Sequence, residues 1–311
     1  MPTALVTGAN GAIGRHTVAY LVEQGWTVGG LGYGPVNWAG HSPIDYWIAA
    51  EVSSENLDVI VEHIGRPEIV INLAGGSSVG PSLQTPLNDF EMTMSSIMRL
   101  LNWIWTRSPN SKLVAVSSAA VYGNRHGCPI EEGTPLAPMS PYGHHKAMLE
   151  QAVRYWGAIF GLSAVIARPF SVYGVGLHKQ LVFDLCRRLA PRPKRLVLSG
   201  TGKETRDWID IRDVARILVD LSAFATPATP SYNLCSGSSH SVADVADLLA
   251  ELCGGGTEIA FDGSVRPGDP VHLKGNDARI REIGLQSRIS LRDGISAVAA
   301  AAWHMHKQAL S

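Results

Sequence analysis

The chain has little of what marks secreted, zinc-bound or membrane-spanning proteins. Only four cysteines occur in 311 residues, at positions 128, 186, 235 and 253, and no two of them form a CxxC pair. This spacing argues against a disulfide framework and a structural zinc site, and it favours a reducing, cytoplasmic location. No apolar run is long enough to cross a bilayer, and the Ala-rich "ISAVAAAAWHMH" predicts a packed C-terminal helix.

The chain also lacks an excess of charge of either sign. The formal net charge is -1, which gives no electrostatic argument for nucleic acid or an acidic membrane surface as a partner. Hydrophobic residues make up 45% of the chain, as in a globular protein with one large or two small cores. We therefore expect neither nucleic acid nor a membrane as a partner.

Short β-rich runs alternate with helical patterns through the first half of the chain. Strands are predicted at "TALVTG", "WTVGGLG", "EIVINLAG", "KLVAVSS" and "SAVIARPF", with helical segments between them. Near-continuous apolar strands separated by helices predict an α/β, Rossmann-type doubly wound parallel sheet over residues 1–170. Residues 171–311 are richer in Pro and Gly and predict a smaller α/β substrate-binding region, with some segments returning to the sheet.

Three glycines punctuate the junction of the first strand and the first helix. "TGANGAIG" places Gly8, Gly11 and Gly14 in a GxxGxxG spacing. Glycines permit a tight turn, and a helix N-terminus offers backbone N–H groups and a positive dipole end to a pyrophosphate. The alternative is a glycine-rich turn without a ligand. The strand-to-helix context favours a dinucleotide site.

The end of the second strand lacks the acidic residue that usually bonds the ribose hydroxyls of NAD. Gly32 stands there, in "GGLGYGPVNW", with no carboxylate nearby. Because an acid at this place would repel a 2′-phosphate, its absence favours NADP over NAD. Arg15 could contact that phosphate, although a solvated helix residue is the commoner role.

A tyrosine and a lysine stand four residues apart in "SPYGHHKAMLE". Tyr142 and Lys146 share one helical face, where an ammonium is expected to lower the pKa of a phenol. Ser118, in "VAVSSAAVYG", follows an apolar strand and can hold the same substrate oxygen. The adjacent His144 and His145 point to different sides of the helix and lack further ligands, so we expect no metal site.

Seven segments together resemble a known family. "TGANGAIG", "VSSAAVYG", "PLAPMSPYGHHK", "ARPFSVYG", "TRDWIDIRDVA", "YNLCSG" and "RPGD" follow the order of the extended short-chain dehydrogenases/reductases, in their nucleotide-sugar epimerase, dehydratase and 4-keto-reductase group. The resemblance spans nearly the whole chain. It implies a nucleotide-diphosphate sugar as substrate, NADP or NAD as cofactor, and a homodimer formed through the helices that start near Pro86 and Tyr142.

The resemblance also implies roles for individual residues. It makes Ser118, Tyr142 and Lys146 catalytic, and it has Lys146 bond the nicotinamide ribose as well. The expected cofactor-binding residues are Gly8, Asn10, Gly11, Ala12, Ile13, Gly14, Gly32, Glu51, Val52, Leu73, Ala74, Gly75, Tyr142, Lys146 and Pro169. The expected substrate-binding residues are Ser78, Ser118, Ser171, His178, Gln180, Arg206, Arg266 and Asp269, the two arginines being expected at the diphosphate.

One departure from the family separates the possible reactions. Family dehydratases carry an acidic pair directly after the serine, whereas this chain has Ala119 and Ala120, so a 4,6-dehydratase is not expected. The leading expectation is an NDP-4-keto-hexose reductase that uses NADPH, with Tyr142 as proton donor. The alternative is an NDP-sugar 4-epimerase with tightly bound NAD. A non-catalytic dinucleotide-binding protein is a third possibility.

Overall fold

The computed structural model describes residues 1–34, 44–124, 129–264 and 271–310, and the chain divides into two units. The first consists of Met1–Gly123, Glu132–Pro169 and Val214–Asn233. The second consists of Asn124–Glu131, Phe170–Asp213 and Leu234–Ser311. That residues 1–170 bind the dinucleotide and residues 171–311 bind the substrate stays a prediction.

The elements of the described residues follow in chain order. The strands are β1 (Thr3–Thr7), β2 (Thr27–Gly32), β3 (Tyr46–Ala49), β4 (Ile69–Asn72), β5 (Lys112–Val116), β6 (Ala164–Pro169), β7 (Ser171–Tyr173), β8 (Arg195–Leu198), β9 (Thr205–Asp210), β10 (Ser231–Leu234), β11 (Ser239–Ser241), β12 (Glu258–Phe261) and β13 (His272–Leu273). The α-helices are α1 (Ala12–Glu23), α2 (Ser54–Ile64), α3 (Val79–Gln84), α4 (Pro86–Phe90), α5 (Ser96–Arg107), α6 (Pro141–Phe160), α7 (Gln180–Leu189), α8 (Ile211–Leu221), α9 (Val242–Leu252), α10 (Ala278–Glu282) and α11 (Leu291–Leu310). A π-helical turn, Glu91–Ser95, joins α4 to α5, and 3₁₀ turns cover Ala119–Tyr122 and Ser222–Phe224.

The first unit is built on a sheet of seven strands in the order β10-β6-β5-β4-β1-β2-β3. The pairings from β3 through β6 are all parallel. This is the doubly wound order, in which the chain reverses direction across the sheet between β1 and β4. The predicted Rossmann-type α/β fold is confirmed. Strand β3 was not predicted. It lies at the edge of the sheet, where it pairs with β2 alone, and none of its residues is fully buried.

The central strands are buried on both faces, which explains their continuous apolar sequences. Leu5 of β1, Val70 of β4, Leu113 of β5 and Ile166 of β6 are all fully buried in one hydrophobic cluster. Since an apolar sheet covered on both faces is rigid, polar residues at its strand ends are held in fixed positions.

The second unit is described by itself. Strands β11, β9 and β13 form a sheet in which β7 also pairs with β9, and β8 pairs with β12. Its core lies among α7, α9 and α11, with Leu185, Leu249 and Ile295 fully buried. The predicted C-terminal helix is therefore packed against this core. Among the described residues, no helix combines the length and apolarity needed to span a membrane.

Candidate active site

The glycine turn after β1 lies at the point where the strand order reverses. Gly8 has a φ of +68°, a conformation that residues with a side chain rarely adopt. A Cβ at Gly14 would come within 2.3 Å of the Gly8 carbonyl oxygen. Helix α1 can therefore start close against the strand only because these positions carry no side chain.

The first turn of α1 fits a pyrophosphate. Its N-cap residue, Gly11, supplies no side-chain hydrogen bond to the first backbone N–H groups of the helix. Such N–H groups, together with the helix dipole, bind phosphate oxygens well. Gly8 and Asn10 lie in the turn before α1, and Ala12, Ile13 and Gly14 lie in its first turn. Their cofactor roles stay predictions.

A hydrogen-bonded link ties this turn to the end of β4. The Thr7 hydroxyl donates to Asn72 Oδ1 over 2.7 Å and accepts from the Ala74 N–H over 3.2 Å. The predicted cofactor segment Leu73–Gly75 is thereby held beside the glycine turn. Sequence reasoning missed Asn72, although a polar residue that ends an apolar strand at the ligand-binding edge could have indicated it.

The amide of Asn10, from the glycine turn, lies at the end of β2, where NAD-binding proteins usually have a carboxylate. A Cβ at Gly32 would lie 2.4 Å from Asn10 Oδ1. The Asn10 side chain therefore fills the space in front of Gly32, and its Nδ2 donates to the Tyr33 carbonyl. Of the other predicted cofactor residues, Glu51 pairs with Arg99 over 2.8 Å, while the Val52 side chain is buried in the core.

Helix α6 begins with a strong start signal, which fixes where the tyrosine and the lysine lie. Ser140 caps the helix by accepting from the Gly143 N–H over 3.2 Å, and a proline follows it. The Tyr142 N–H donates to Ser82 Oγ over 3.1 Å. Tyr142 therefore occupies the first helical turn, and Lys146 lies one turn further along the same face.

The structure brings the three predicted catalytic side chains together. Ser118 comes just after β5 and lies close enough to Tyr142 for its hydroxyl to oppose the rise in the pKa of the phenol. Lys146 Nζ donates to the Val116 carbonyl over 3.0 Å and lies 5.9 Å from the centre of the Tyr142 ring. Ala119 and Ala120 form the 3₁₀ turn that follows the serine. Pro169, predicted at the cofactor, ends the neighbouring strand β6.

The low pKa that the sequence predicts for Tyr142 is wrong for this structure, because burial dominates. Burial raises the pKa of Tyr142 above its ordinary value, the hydrogen bond from Ser118 opposes that rise, and the Asp89 carboxylate adds to it. Burial also lowers the pKa of Lys146 to about 8, against the opposing effect of Asp89 and Glu150. The sequence shows the spacing of the pair, but desolvation by the surrounding fold decides the direction of both pKa changes.

His145 pairs with a buried carboxylate, a contact that the sequence did not indicate. Its Nδ1 lies 2.6 Å from Asp89 Oδ2, and both side chains are largely buried. Its ring also meets Phe90 edge-on. Sequence reasoning missed this pair because its two members are 56 residues apart. The described residues contain no cluster of three or more His, Cys, Asp or Glu suited to a metal.

A buried ionic network holds the segment that follows β5, where Ser117 and Ser118 lie. Arg168 donates to both carboxylate oxygens of Glu150, over 2.8 and 2.6 Å, and to the Tyr122 hydroxyl over 2.7 Å. Ser117 donates to the same Glu150 over 2.6 Å, and Tyr122 donates to Asn233. Such bidentate pairs are rigid, so the network fixes the backbone next to Ser118.

The remaining predicted substrate residues are dispersed. Ser78 is the N-cap residue of α3 in the first unit. In the second unit Ser171 starts β7, His178 is exposed beside Phe183, Gln180 starts α7, and Arg206 on β9 donates to the Thr205 and Val271 carbonyls. Arg266 and Asp269 lie outside the described residues. The substrate roles of all these residues stay predictions.

Comparison with known families agrees with this arrangement. A sequence profile described as the NAD-dependent epimerase/dehydratase family matches residues 4–235. The chain belongs to this family. The resemblance to the extended nucleotide-sugar group of short-chain dehydrogenases/reductases is thereby confirmed.

Individual members of the NAD-dependent epimerase/dehydratase family are similar over nearly their full length. A UDP-glucose 4-epimerase of Azospirillum brasilense is 32% identical over 94% of this chain and 90% of its own. A GDP-6-deoxy-D-mannose reductase of Pseudomonas aeruginosa is 25% identical over 94% of each chain. The crystal structure of Thermus thermophilus UDP-glucose 4-epimerase with NAD matches with a TM-score of 0.84 and 26% identity, covering 96% of this chain and 98% of that one.

Proposed function

We propose that this protein interconverts the C4 epimers of a nucleotide-diphosphate hexose, using NAD held at the glycine turn. The observation that carries the proposal is that the Ser118 hydroxyl acts on Tyr142 while the Lys146 ammonium lies 5.9 Å from the centre of the tyrosine ring. Two alanines follow the serine, where a dehydratase needs acids. A site that only moves a proton and a hydride at one carbinol carbon suits epimerisation. The similarity to UDP-glucose 4-epimerases supports the same reaction.

Each catalytic side chain has a defined task in this proposal. A nicotinamide cofactor held at the glycine turn would supply the hydride acceptor and donor for C4. Tyr142 takes the proton of the C4 hydroxyl as that carbon is oxidised and gives it back on reduction. Ser118 holds the same oxygen, and the Lys146 ammonium stabilises the tyrosinate form.

A second candidate, reduction of an NDP-4-keto-hexose, is favoured by one specific observation. Among the described residues at the end of β2, Gly32, Tyr33 and Gly34 carry no carboxylate, and Asn10 fills the space in front of Gly32. A 2′-phosphate would meet no negative charge from these residues, so the predicted preference for NADPH stays open to test. The GDP-6-deoxy-D-mannose reductase of Pseudomonas aeruginosa is a relative with a reductive activity.

Deuterium at C4 distinguishes the two reactions. UDP-glucose and UDP-galactose labelled with deuterium at C4 should interconvert with the label retained in the sugar and no net change in added cofactor. A reductase would instead consume NADPH stoichiometrically with a nucleotide 4-keto-hexose. Absence of both reactions over a panel of nucleotide sugars would refute the proposed function.

The cofactor is tested separately from the sugar. Binding of NADH and NADPH, measured by nicotinamide fluorescence, should favour NADH if the epimerase proposal is right. Gly14→Ala should abolish the binding of both, because the added methyl group meets the Gly8 carbonyl. A clear preference for NADPH would favour the reductase.

The proposal includes a homodimer formed through α5 and α6. Large apolar side chains on these helices are exposed to solvent, namely Trp105, Met148, Tyr155, Ile159 and Phe160. An apolar patch of this kind on a described surface is typical of a protein–protein interface. Sedimentation of the purified protein at micromolar concentration should give twice the chain mass.

A further inference from the structure

A buried histidine–aspartate pair lies next to the catalytic lysine and has no assigned role. Asp89 lies in the last turn of α4 and is 5% exposed, and its Oδ2 lies 2.6 Å from Nδ1 of His145 on α6. His145 directly precedes Lys146, which is 4% exposed. Burying a carboxylate is costly unless hydrogen bonds with good geometry hold it, so the contacts of Asp89 need an explanation.

The Asp89 carboxylate packs against the turn that follows β4. A Cβ at Gly76 would lie 1.9 Å from Asp89 Oδ1, so this position can hold only glycine while the carboxylate stays in place. The Gly76 N–H donates to Thr93 Oγ1 over 2.9 Å. A Cβ at Gly75 would lie 3.6 Å from Lys146 Nζ. One two-residue turn thus contacts Asp89 and Thr93 and lies beside the catalytic lysine.

The helical segment from α4 to α5, which carries Asp89 and Thr93, contains a π-helical turn. Thr93 lies within the π-helical turn Glu91–Ser95, directly after Asp89 and α4. Single π-helical turns inside α-helices are frequent at functional sites, because they shift side chains away from their regular positions. Here the shift accompanies two side chains that contact the Gly75–Gly76 turn.

The two carboxylates near Lys146 differ in the partners that hold them. Asp89, Glu150 and Tyr142 are the titratable groups that face it. Glu150 is held by Arg168 in a bidentate pair. Asp89 is oriented by a histidine and favours the charged form of Lys146.

We propose, building on the proposed epimerase function, that Asp89 is a positioning residue, oriented by His145, which holds the Gly75–Gly76 turn and the Lys146 ammonium in their working places. Asp89 contacts the turn directly and acts on the lysine through its charge. His145 acts one step further back, by donating Nδ1–H to the carboxylate. The pair is a distinct addition to the Ser118–Tyr142–Lys146 set.

Four variants of the full-length protein test this proposal. Asp89→Asn removes the charge and keeps the size, while Asp58→Asn is a matched control at a half-buried carboxylate bonded to Trp103. His145→Ala removes the donor to Asp89. His145→Asn places an amide N–H near the position of Nδ1 and should restore it. Thermal unfolding shows first which variants are folded.

The first readout is the ionisation of Lys146 and needs no turnover. The chain has seven lysines, so the Lys146 signal in ¹³C-lysine NMR can be assigned by comparison with Lys146→Arg. In Asp89→Asn we expect the titration midpoint of Lys146 to fall by about one pH unit, because an opposite charge is lost at close range. Asp58→Asn should leave the midpoint unchanged.

The second readout is the pH profile of kcat. Near pH 6.5 Lys146 is charged in both proteins, so Asp89→Asn should match the native enzyme. Above pH 8.5 its kcat should be about tenfold lower, since one pH unit is a tenfold change in the charged fraction. His145→Ala should show the same trend, and His145→Asn should recover most of the activity.

Two outcomes would overturn the proposal. One is an unchanged Lys146 midpoint in Asp89→Asn. The other is a loss of kcat that is equal at every pH or equally severe in His145→Asn and His145→Ala, which would indicate a merely structural role. If the native protein turns over no nucleotide sugar, the proposed function fails while the NMR titration still decides the role of Asp89. If Asp89→Asn does not fold, the two His145 variants decide it.

Discussion

Replacing Lys146 by methionine should make the folded protein more stable at neutral pH while abolishing its activity. Methionine has nearly the same length as lysine and carries no charge. Lys146 is 4% exposed, and burial lowers its pKa from 10.5 to about 8. The fold therefore disfavours the ammonium that the proposed chemistry needs.

The size of the effect follows from the pKa difference between the unfolded and folded states. One pKa unit corresponds to about 1.4 kcal/mol, so the buried ammonium costs about 3 kcal/mol of folding free energy at pH 7. The methionine variant loses the hydrogen bond to the Val116 carbonyl, which contributes about 1 kcal/mol. We expect a net gain of about 2 kcal/mol in the free energy of unfolding.

The gain should depend on pH in a defined direction. Between pH 8 and 10.5 the unfolded chain keeps its proton on this lysine while the folded protein has lost it. The native protein therefore gains stability as the pH rises through this window, relative to the variant. By pH 10 the difference between the two proteins should vanish or change sign.

Urea denaturation at pH 7 and pH 10 measures both quantities. Lys194→Met, at an exposed lysine of the second unit, is the control and should change stability little at either pH. If Lys146→Met is no more stable than the native protein at pH 7, or if its advantage is the same at pH 10, the reasoning from burial is refuted.

Three further predictions concern the site and the assembly. Tyr142→Phe should lower kcat by about a hundredfold or more with unchanged stability, because one proton donor is lost; Tyr155→Phe on the same helix is the control, and equal activity of the two variants would contradict the assignment. Gly14→Ala should lower the unfolding free energy by about 1–3 kcal/mol, since its Cβ would lie 2.3 Å from the Gly8 oxygen, and a thermal melt equal to that of the native protein would argue against the tight turn. Ile159→Glu, at a side chain that is 69% exposed, should give a monomer of native stability by sedimentation; a dimer of unchanged affinity would place the interface elsewhere.

Local patterns were sufficient to predict most of the first unit. Apolar runs such as "KLVAVSS" predict buried parallel strands, because their apolar residues do not alternate with polar ones. This pattern is typical of strands covered on both faces. "SPYGHHK" combines an N-cap serine, a proline and a helical face, and α6 begins within one residue of the expected place. Strand β3 escaped prediction; it is a partly exposed edge strand outside the buried centre of the sheet.

The amino-acid sequence by itself determined the fold class, the glycine turn and the serine, tyrosine and lysine of the candidate site. Those features depend on short-range spacing, which a sequence displays directly. Only the tertiary structure decided that burial raises the pKa of Tyr142 and lowers that of Lys146, and that Asp89 meets His145 across 56 residues. Desolvation and contacts between distant segments arise when the chain packs, so local spacing cannot reveal them.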